Sequence, residues 1–324
     1  MKVFKKSPEG VILPAITLVC IVLLAIRPEI YLKSSFEGIK LWALTVLPSL
    51  LPFFFLTSLT SATGVIEKFS RKLEKPMRKI FRCGGICSYA FIMSILSGYP
   101  VGAKMISDLR KNGAISPSEA TRMSTFCSTS GPLFIIGSVG TGMFNDKRAG
   151  YSIIAAHILS AVICGIIFRF YGENDSPKSF IPNRKLSENI LYDCVYSSVI
   201  SVALVGGFVC VFYVFADVMI NLKISLPAEY LISLFLKDER ASKGFVCGLI
   251  ECTRGAKTLS AIGVSPLSGS LACADISFGG ISVIAQSSAF LKSAKVKTSV
   301  FMLSKTLQTI ISFLLCLLIC QFVF

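Results

Sequence analysis

Apolar residues fall into long runs along this chain, separated by short charged stretches. The runs at 11–26, 41–63, 149–170 and 190–215, and a last one that ends at Phe324, each approach the roughly 20 residues that a helix needs to cross a hydrocarbon core of about 30 Å. Runs of this length and hydrophobicity predict membrane-spanning helices. The pattern therefore predicts an all-α polytopic membrane protein with about seven full spans.

Four further apolar segments are interrupted by glycine, proline or charge. Segment 85–109 is too interrupted for a full crossing and lies between two basic stretches, so we expect a re-entrant helical hairpin that begins and ends on one side. Segment 244–264 has the same character. Segments 120–143 and 267–290 are broken in the middle, at Ser-Thr-Ser-Gly-Pro and at Ser-Phe-Gly-Gly. The sequence therefore predicts two re-entrant hairpins and two broken transmembrane helices.

The two halves present these segments in the same order, namely span, surface helix, hairpin, broken span, span. Each hairpin contains Gly-Ala-Lys, which ends at Lys104 and at Lys257. Because the first unit starts outside and the second inside, we expect an inverted repeat. The predicted units are an N-terminal span and connection at 1–40, a first repeat at 41–170, a polar cytoplasmic linker at 171–189 and a second, inverted repeat at 190–324.

Composition and charge support membrane insertion and predict the topology. The chain is 53% hydrophobic and only 16% charged, with a mean hydropathy of +0.71, so a soluble fold could not hide its apolar surface. The net charge of +15 is distributed between the spans, which argues against nucleic-acid binding. Segment 67–82 is amphipathic with a net charge of +5 and is expected on the cytoplasmic surface, whereas segment 217–243 is neutral and is expected outside.

The chain ends follow from the same charge rule. Lys2, Lys5 and Lys6 predict a cytoplasmic N-terminus, and counting spans then predicts a C-terminus outside the cell. The run at 11–26 resembles a signal peptide, but no small-residue cleavage site follows it. We therefore expect a retained first span in a bacterial cell membrane.

The sequence predicts neither a metal site nor an enzyme. Its 12 cysteines include no CxxC pair and no accompanying histidine cluster, so they are expected to pack as small hydrophobes. No nucleophile elbow, HExxH motif, Walker loop or pair of catalytic carboxylates occurs, and no cofactor is predicted. His157, the single histidine, is expected to be packed or hydrogen-bonded rather than to relay protons.

The interrupted segments are the candidate functional part of the chain. Irregular backbone at membrane depth is tolerated only where it is buried in protein or lines a cavity. Helix N-termini that point into such a cavity carry partial positive charge and free N–H groups, which suit a carboxylate or a phosphate. The pairing predicts a midplane substrate site between the hairpins and the broken helices.

Three cations lie in or beside the hairpins, namely Lys104, Arg254 and Lys257. A cation there is costly unless it faces a cavity, an anionic substrate or a partner such as Glu251 or Asp275. Two other interpretations stay open: the lysines extend to the membrane interfaces, and Glu251 pairs internally with Arg254. Glu251 is retained as a site residue because it stands at the expected hairpin tip.

Neutral polar residues around the breaks could orient a small polar molecule or could connect helices. Tyr99 could stack on a planar ring or anchor its hairpin. The predicted substrate-binding residues are Ser97, Gly98, Tyr99, Pro100, Lys104, Ser128, Thr129, Ser130, Gly131, Glu251, Thr253, Arg254, Lys257, Ser277, Gly279, Gly280 and Gln286.

Four motifs resemble the YlbJ (SpoVV) family of sporulation integral membrane proteins. They are Leu-Pro-Ser-Leu-Leu-Pro-Phe at 47–53, Ser-Gly-Tyr-Pro-Val-Gly-Ala-Lys at 97–104, Ser-Thr-Ser-Gly-Pro-Leu-Phe at 128–134 and Ser-Phe-Gly-Gly-Ile-Ser-Val-Ile-Ala-Gln at 277–286. That family belongs to the nucleoside-recognition, or Gate, domain superfamily, which is related to concentrative nucleoside transporters and spore maturation proteins. The resemblance implies a fold with two re-entrant hairpins and two broken helices.

The resemblance also implies a substrate, dipicolinic acid, which such proteins pass across a forespore membrane during endospore formation. The expected partners are this small anion and the lipid bilayer, with a coupling cation and a homo-oligomer left open. Two alternatives remain at this point: a nucleoside or nucleobase carrier, and a structural sporulation membrane subunit that transports nothing.

Overall fold

The computed structural model describes residues 9–63, 72–172 and 189–323. Three predictions lie outside these residues: the basic N-terminus, the start of the surface segment at 67–71, and most of the polar linker at 171–189. Within the described ranges the chain is helical and contains no strand, as the sequence predicts.

The helices of the first half follow the predicted order. They are α1 Glu9–Ile26, α2 Pro28–Leu41, α3 Leu47–Ala62, α4 Glu74–Phe81, α5 Ile86–Ser97, α6 Val101–Lys111, α7 Pro117–Ser124, the π-helical α8 Leu133–Met143 and α9 Lys147–Ile167. A π-helical turn at Trp42–Val46 joins α2 to α3.

The helices of the second half repeat that order after the linker. They are α10 Ile190–Asn221, α11 Leu226–Leu236, α12 Glu239–Ile250, α13 Cys252–Ser260, α14 Pro266–Phe278, α15 Gly280–Ser293 and α16 Thr298–Val323.

Four described helices are long and apolar enough to cross a membrane, at Lys147–Phe170, Ile190–Asn221, Pro266–Ser293 and Thr298–Val323. Two bent helix pairs in the first half raise this number to six if each pair is one span. The four long helices match the predicted runs at 149–170 and 190–215, the broken segment 267–290 and the last apolar run. The described residues thus give four to six candidate spans, where the sequence predicts about seven.

Local sequence explains where the first hairpin turns. Gly98 follows α5 with a φ of +73°, a left-handed value that favours glycine, and the chain then re-enters a helix at Val101. A Cβ atom on Gly98 would lie 2.7 Å from the backbone nitrogen of Gly131. The first hairpin turn therefore approaches the first helix break more closely than a residue larger than glycine at position 98 would allow.

The two helix breaks differ in size, which the sequence does not predict. Residues 125–131 lie outside regular helix between α7 and α8, where Ser and Thr residues compete for backbone hydrogen bonds and Pro132 lacks an N–H donor. The second break consists of Gly279 and Gly280, whose φ values of +87° and +68° interrupt an apolar segment that otherwise stays one 28-residue span. Two glycines change the chain direction locally without displacing the helices on either side.

Helices α9, α14 and α16 pack against one another, and α14 is the most buried of the three. Helix α16 packs along α14 and α9, while α10 packs against α2 and α3 at one side. Surface helix α4 buries Met77 and Phe81 and exposes its basic residues, as its amphipathic pattern predicts. This arrangement brings the two halves together at their interrupted segments.

Candidate functional site

Both hairpin turns, the first helix break and the start of α15 after the second break line one partly open cavity of about 50 Å³. Its polar and small lining residues are Ser97, Gly98, Tyr99, Ser130, Gly131, Glu251, Cys252, Thr253, Ser282 and Gln286. Its apolar lining residues are Val46, Leu50, Phe54, Phe134, Val205, Val209 and Val283. An apolar wall with a few convergent polar groups is typical of a small-molecule site.

Four helices begin at or within two residues of this lining, namely α6, α8, α13 and α15. Each helix N-terminus carries partial positive charge and backbone N–H groups without intrahelical partners. At α13 the carboxylate of Glu251 already accepts these groups, from the backbone nitrogens of Thr253 at 3.1 Å and Arg254 at 2.7 Å. Glu251 is therefore both the cap of α13 and the charged residue of the cavity wall.

His157 connects the two breaks from the middle of α9. It is fully buried, and its Nε2 accepts the backbone N–H of Ser130 at 2.9 Å. Its Nδ1 lies 2.8 Å from the hydroxyl of Ser277 at the end of α14. The expectation of a hydrogen-bonded histidine is confirmed, and its partners are the two breaks.

Lys305 connects the same two breaks from α16. Its Nζ donates to the carbonyl oxygens of Ser128 at 2.7 Å and Ser277 at 2.9 Å, and it contacts the hydroxyl of Tyr99 at 3.1 Å. Sequence reasoning missed this residue. The available signal was a single charged residue within the last apolar run, at 298–323, because a lone intramembrane cation needs a partner.

The structure brings 14 of the 17 predicted site residues to the turns and breaks. Eight of them line the cavity: Ser97, Gly98, Tyr99, Ser130, Gly131, Glu251, Thr253 and Gln286. Six others belong to the same turns and breaks but not to the wall: Pro100, Ser128, Thr129, Ser277, Gly279 and Gly280. Thr129, for example, donates to the hydroxyl of Ser94 at 3.2 Å.

The three predicted cations lie away from the cavity wall. Lys104 is exposed on α6, and Lys257 lies 3.5 Å from the carboxylate of Glu37. The guanidinium of Arg254 contacts Asp217 at 2.5 Å and donates to a backbone carbonyl of α10 at 2.7 Å. The guanidinium of Arg254 thus pairs with α10 and not with the carboxylate of Glu251.

Asp275 is a buried acid behind the second hairpin. It is fully buried on α14, and among the described residues neither carboxylate oxygen has a hydrogen-bond partner. Gly248 of α12 and Gly255 of α13 press their backbones against it. From the sequence, Asp275 is a candidate partner for a hairpin cation. In the structure it packs against the backbone of two glycines instead.

The structure also gathers Cys83, Cys87 and Glu119 in a buried group whose ligand atoms lie within 4.8 Å of one another. No metal site is predicted from the sequence, and hydrogen bonds account for this group. Oε1 of Glu119 accepts the backbone N–H of Gly84 at 2.7 Å and the thiol of Cys87 at 3.4 Å. The carboxylate therefore accepts a backbone hydrogen bond from the residues that lead into α5.

Comparisons with known proteins agree with this arrangement. The Gate family, described as nucleoside recognition, matches residues 43–147. The chain is 32% identical over 308 residues to the sporulation integral membrane protein YlbJ of Bacillus subtilis (strain 168), covering 87% of this chain and 76% of YlbJ. The solved structure of a double variant of CNTnw in an outward-facing state matches with a TM-score of 0.51 at 12% identity, covering 98% of this chain and 88% of CNTnw.

The apolar helices, the family match and the fold define a helical integral membrane protein with a nucleoside-recognition Gate domain and a fold similar to that of CNTnw. Within that class, the sequence identity to YlbJ and the large share of both chains that it covers decide the family. The chain belongs to the YlbJ family of sporulation integral membrane proteins.

Proposed function

We propose that the chain transports a small organic anion, dipicolinic acid, across the forespore membrane during endospore formation. The observation that carries the proposal is that both hairpin turns, the first helix break and the start of α15 after the second break line one cavity. Interrupted helices at membrane depth are a feature of substrate sites in secondary transporters. Membership of the YlbJ family and a fold similar to that of CNTnw support the same function.

The proposed topology has seven spans, with a cytoplasmic N-terminus and an external C-terminus. The spans are α1, α2 with α3, α7 with α8, α9, α10, α14 with α15, and α16. The hairpins α5–α6 and α12–α13 enter from opposite sides, which makes the repeats inverted. Tags at the two ends should be labelled from opposite sides of intact cells, and labelling of both from one side would refute this topology.

Helix N-termini favour an anion in this cavity. Helices α6, α8, α13 and α15 begin at or beside it, and only α13 has its first N–H groups covered by a carboxylate of the wall in the described structure. A dicarboxylate could accept hydrogen bonds from the remaining N-termini without a lysine or arginine in the wall. The planar ring would lie against the apolar residues and Tyr99.

A nucleoside or nucleobase is the second candidate, and one observation favours it. Among the described lining residues Glu251 is the only charged one, so the wall itself carries a negative charge. Glu251 and Gln286 could hydrogen-bond the edge of a neutral base, as the Gate family's description of nucleoside recognition suggests.

A flux assay separates these candidates. Purified protein is reconstituted in liposomes loaded with a terbium chelate whose luminescence rises when dipicolinate enters. We expect dipicolinate influx above that of empty liposomes, with inhibition by related dicarboxylates and not by uridine. Uridine uptake without dipicolinate influx would favour the nucleoside carrier. Absence of flux for both would contradict transport and favour the structural subunit.

A further inference from the structure

The amine nitrogen of Lys305 has only uncharged oxygen atoms as hydrogen-bond partners in the described structure. Its side chain is 1% exposed, and Nζ contacts four oxygens, those of Ser128, Ser277 and Tyr99 already described and Oε1 of Gln308 at 3.2 Å. Nζ also lies 4.9 Å from the centre of the Tyr99 ring. Across the described ranges, no carboxylate oxygen lies within 4.0 Å of Nζ.

The four oxygens come from separate parts of the site. The carbonyl of Ser128 belongs to the first break, the carbonyl of Ser277 precedes the second break, and Tyr99 lies in the first hairpin turn. Both carbonyls lie where helical hydrogen bonding is interrupted, so each needs a donor from elsewhere. The ammonium group supplies three N–H donors and no acceptor, which suits a shell made only of acceptors.

A shell of carbonyl and hydroxyl oxygens without a full negative charge is also the environment that proteins offer to a monovalent metal cation. Burial alone penalises a charged amine, and the four oxygens and the aromatic face oppose that penalty. A neutral amine would donate only two hydrogen bonds to the four oxygens, one fewer than the ammonium group.

We infer that Lys305 is a tethered cation that fills a monovalent-cation site built by both helix breaks and the first hairpin turn. The protein therefore holds these three elements together without binding free Na⁺ or K⁺ at this position. The inference goes beyond the proposed function, because it holds for whichever solute the cavity takes.

Thermal unfolding of the purified protein in four chloride salts tests the inference without any transport assay. The salts are those of sodium, potassium, methylammonium and choline at equal ionic strength, and choline serves as the cation too large to enter. We expect the wild-type midpoint to be the same in all four salts, because the site is already filled.

Substitutions then empty or neutralise the site. Lys305→Ala should unfold several degrees lower in choline and recover part of that loss in sodium, potassium or methylammonium, because a free cation enters the vacated oxygen shell. Lys305→Met should also unfold lower but respond to no salt, because its side chain fills the space without a charge. Lys292→Ala, at an exposed lysine of α15, is the matched control and should behave as wild type.

Three results would overturn the inference. They are a wild-type midpoint raised by sodium or potassium over choline, a Lys305→Met variant as stable as wild type, and a folded Lys305→Ala variant that no cation stabilises. The wild-type comparison needs no variant, so the inference can be refuted even if Lys305→Ala fails to fold. Because the readout is stability, the result is independent of the flux assay.

Discussion

At the scale of residues, two buried side chains replace hydrogen bonds that the broken helices lose. His157 accepts the N–H of Ser130, so a neutral ring carries its proton on Nδ1 and donates to the hydroxyl of Ser277. Lys305 donates to the carbonyls of Ser128 and Ser277. One residue thus supplies an acceptor and the other supplies donors, and both connect the first break to the second.

His157→Leu should therefore destabilise the protein. Leucine fills much of the same space but leaves the buried N–H of Ser130 without an acceptor, which costs roughly 1–3 kcal/mol. The expected result is a lower midpoint of thermal unfolding in detergent. Tyr151→Phe, on the same helix at a side chain that is 57% exposed, is the control and should leave the midpoint unchanged. Equal midpoints for the two variants would contradict the role given to His157.

Sequence reasoning located the turns and breaks better than it located the charges. Gly98 and Gly131 could be predicted because interrupted helices at membrane depth must line a cavity or contact protein. The direction of a side chain depends on helix rotation, which short and irregular helices leave undetermined in the sequence. In the structure Lys104 is exposed on α6. Lys305 is distant from both breaks in the sequence, yet its side chain contacts both of them.

At the scale of elements, glycine allows helices to approach closely around the second hairpin. A Cβ atom on Gly248 would collide with the carboxyl group of Asp275, and one on Gly255 would collide with the backbone of Gly248. The hairpin α12–α13 and helix α14 therefore pack at backbone distance, as small residues permit in membrane bundles.

Gly248→Ala should separate these helices and destabilise the protein by about 1–3 kcal/mol, as overpacking does elsewhere. Gly207→Ala is the matched control, because a Cβ atom there meets nothing within 4 Å. It should leave stability unchanged or raise it slightly, since alanine favours helix. The measurement is the unfolding midpoint of both variants.

The collision itself can be tested with a second substitution. Gly248→Ala combined with Asp275→Ala should recover part of the stability lost by Gly248→Ala, because the carboxyl group that the methyl meets is gone. A double variant whose losses simply add would show that the methyl group acts elsewhere.

Element types and order could be predicted from the apolar runs, whereas their boundaries could not. The run at 41–63 predicts one span, but the helix begins at Pro28 and bends by 52° between Val46 and Leu50, just after the π-helical turn at Trp42–Val46. Proline at the first helical position favours a helix start. The residues that follow it are too polar for hydropathy to mark them as part of a span. The second break is similarly smaller than predicted, because the two glycines interrupt the helix without displacing it.

At the scale of the whole molecule, the two halves repeat one order of helices and contribute to one cavity. The first half supplies Ser97 and Ser130, and the second supplies Glu251 and Gln286. Neither half encloses the cavity alone. The cavity walls could not be predicted in full from the sequence, since Phe54 of α3 and Val205 and Val209 of α10 line the cavity outside any motif.

The most direct test of the central claim compares dipicolinate influx for a cavity variant and a surface variant in the terbium liposomes. Gln286→Leu removes a polar group from the cavity wall, and Lys79→Gln changes only an exposed charge on α4. We expect at least about a tenfold lower initial rate for Gln286→Leu, from the loss of one or two hydrogen bonds to the solute. We expect a wild-type rate for Lys79→Gln. A wild-type rate for Gln286→Leu together with a lost rate for Lys79→Gln would contradict the central claim.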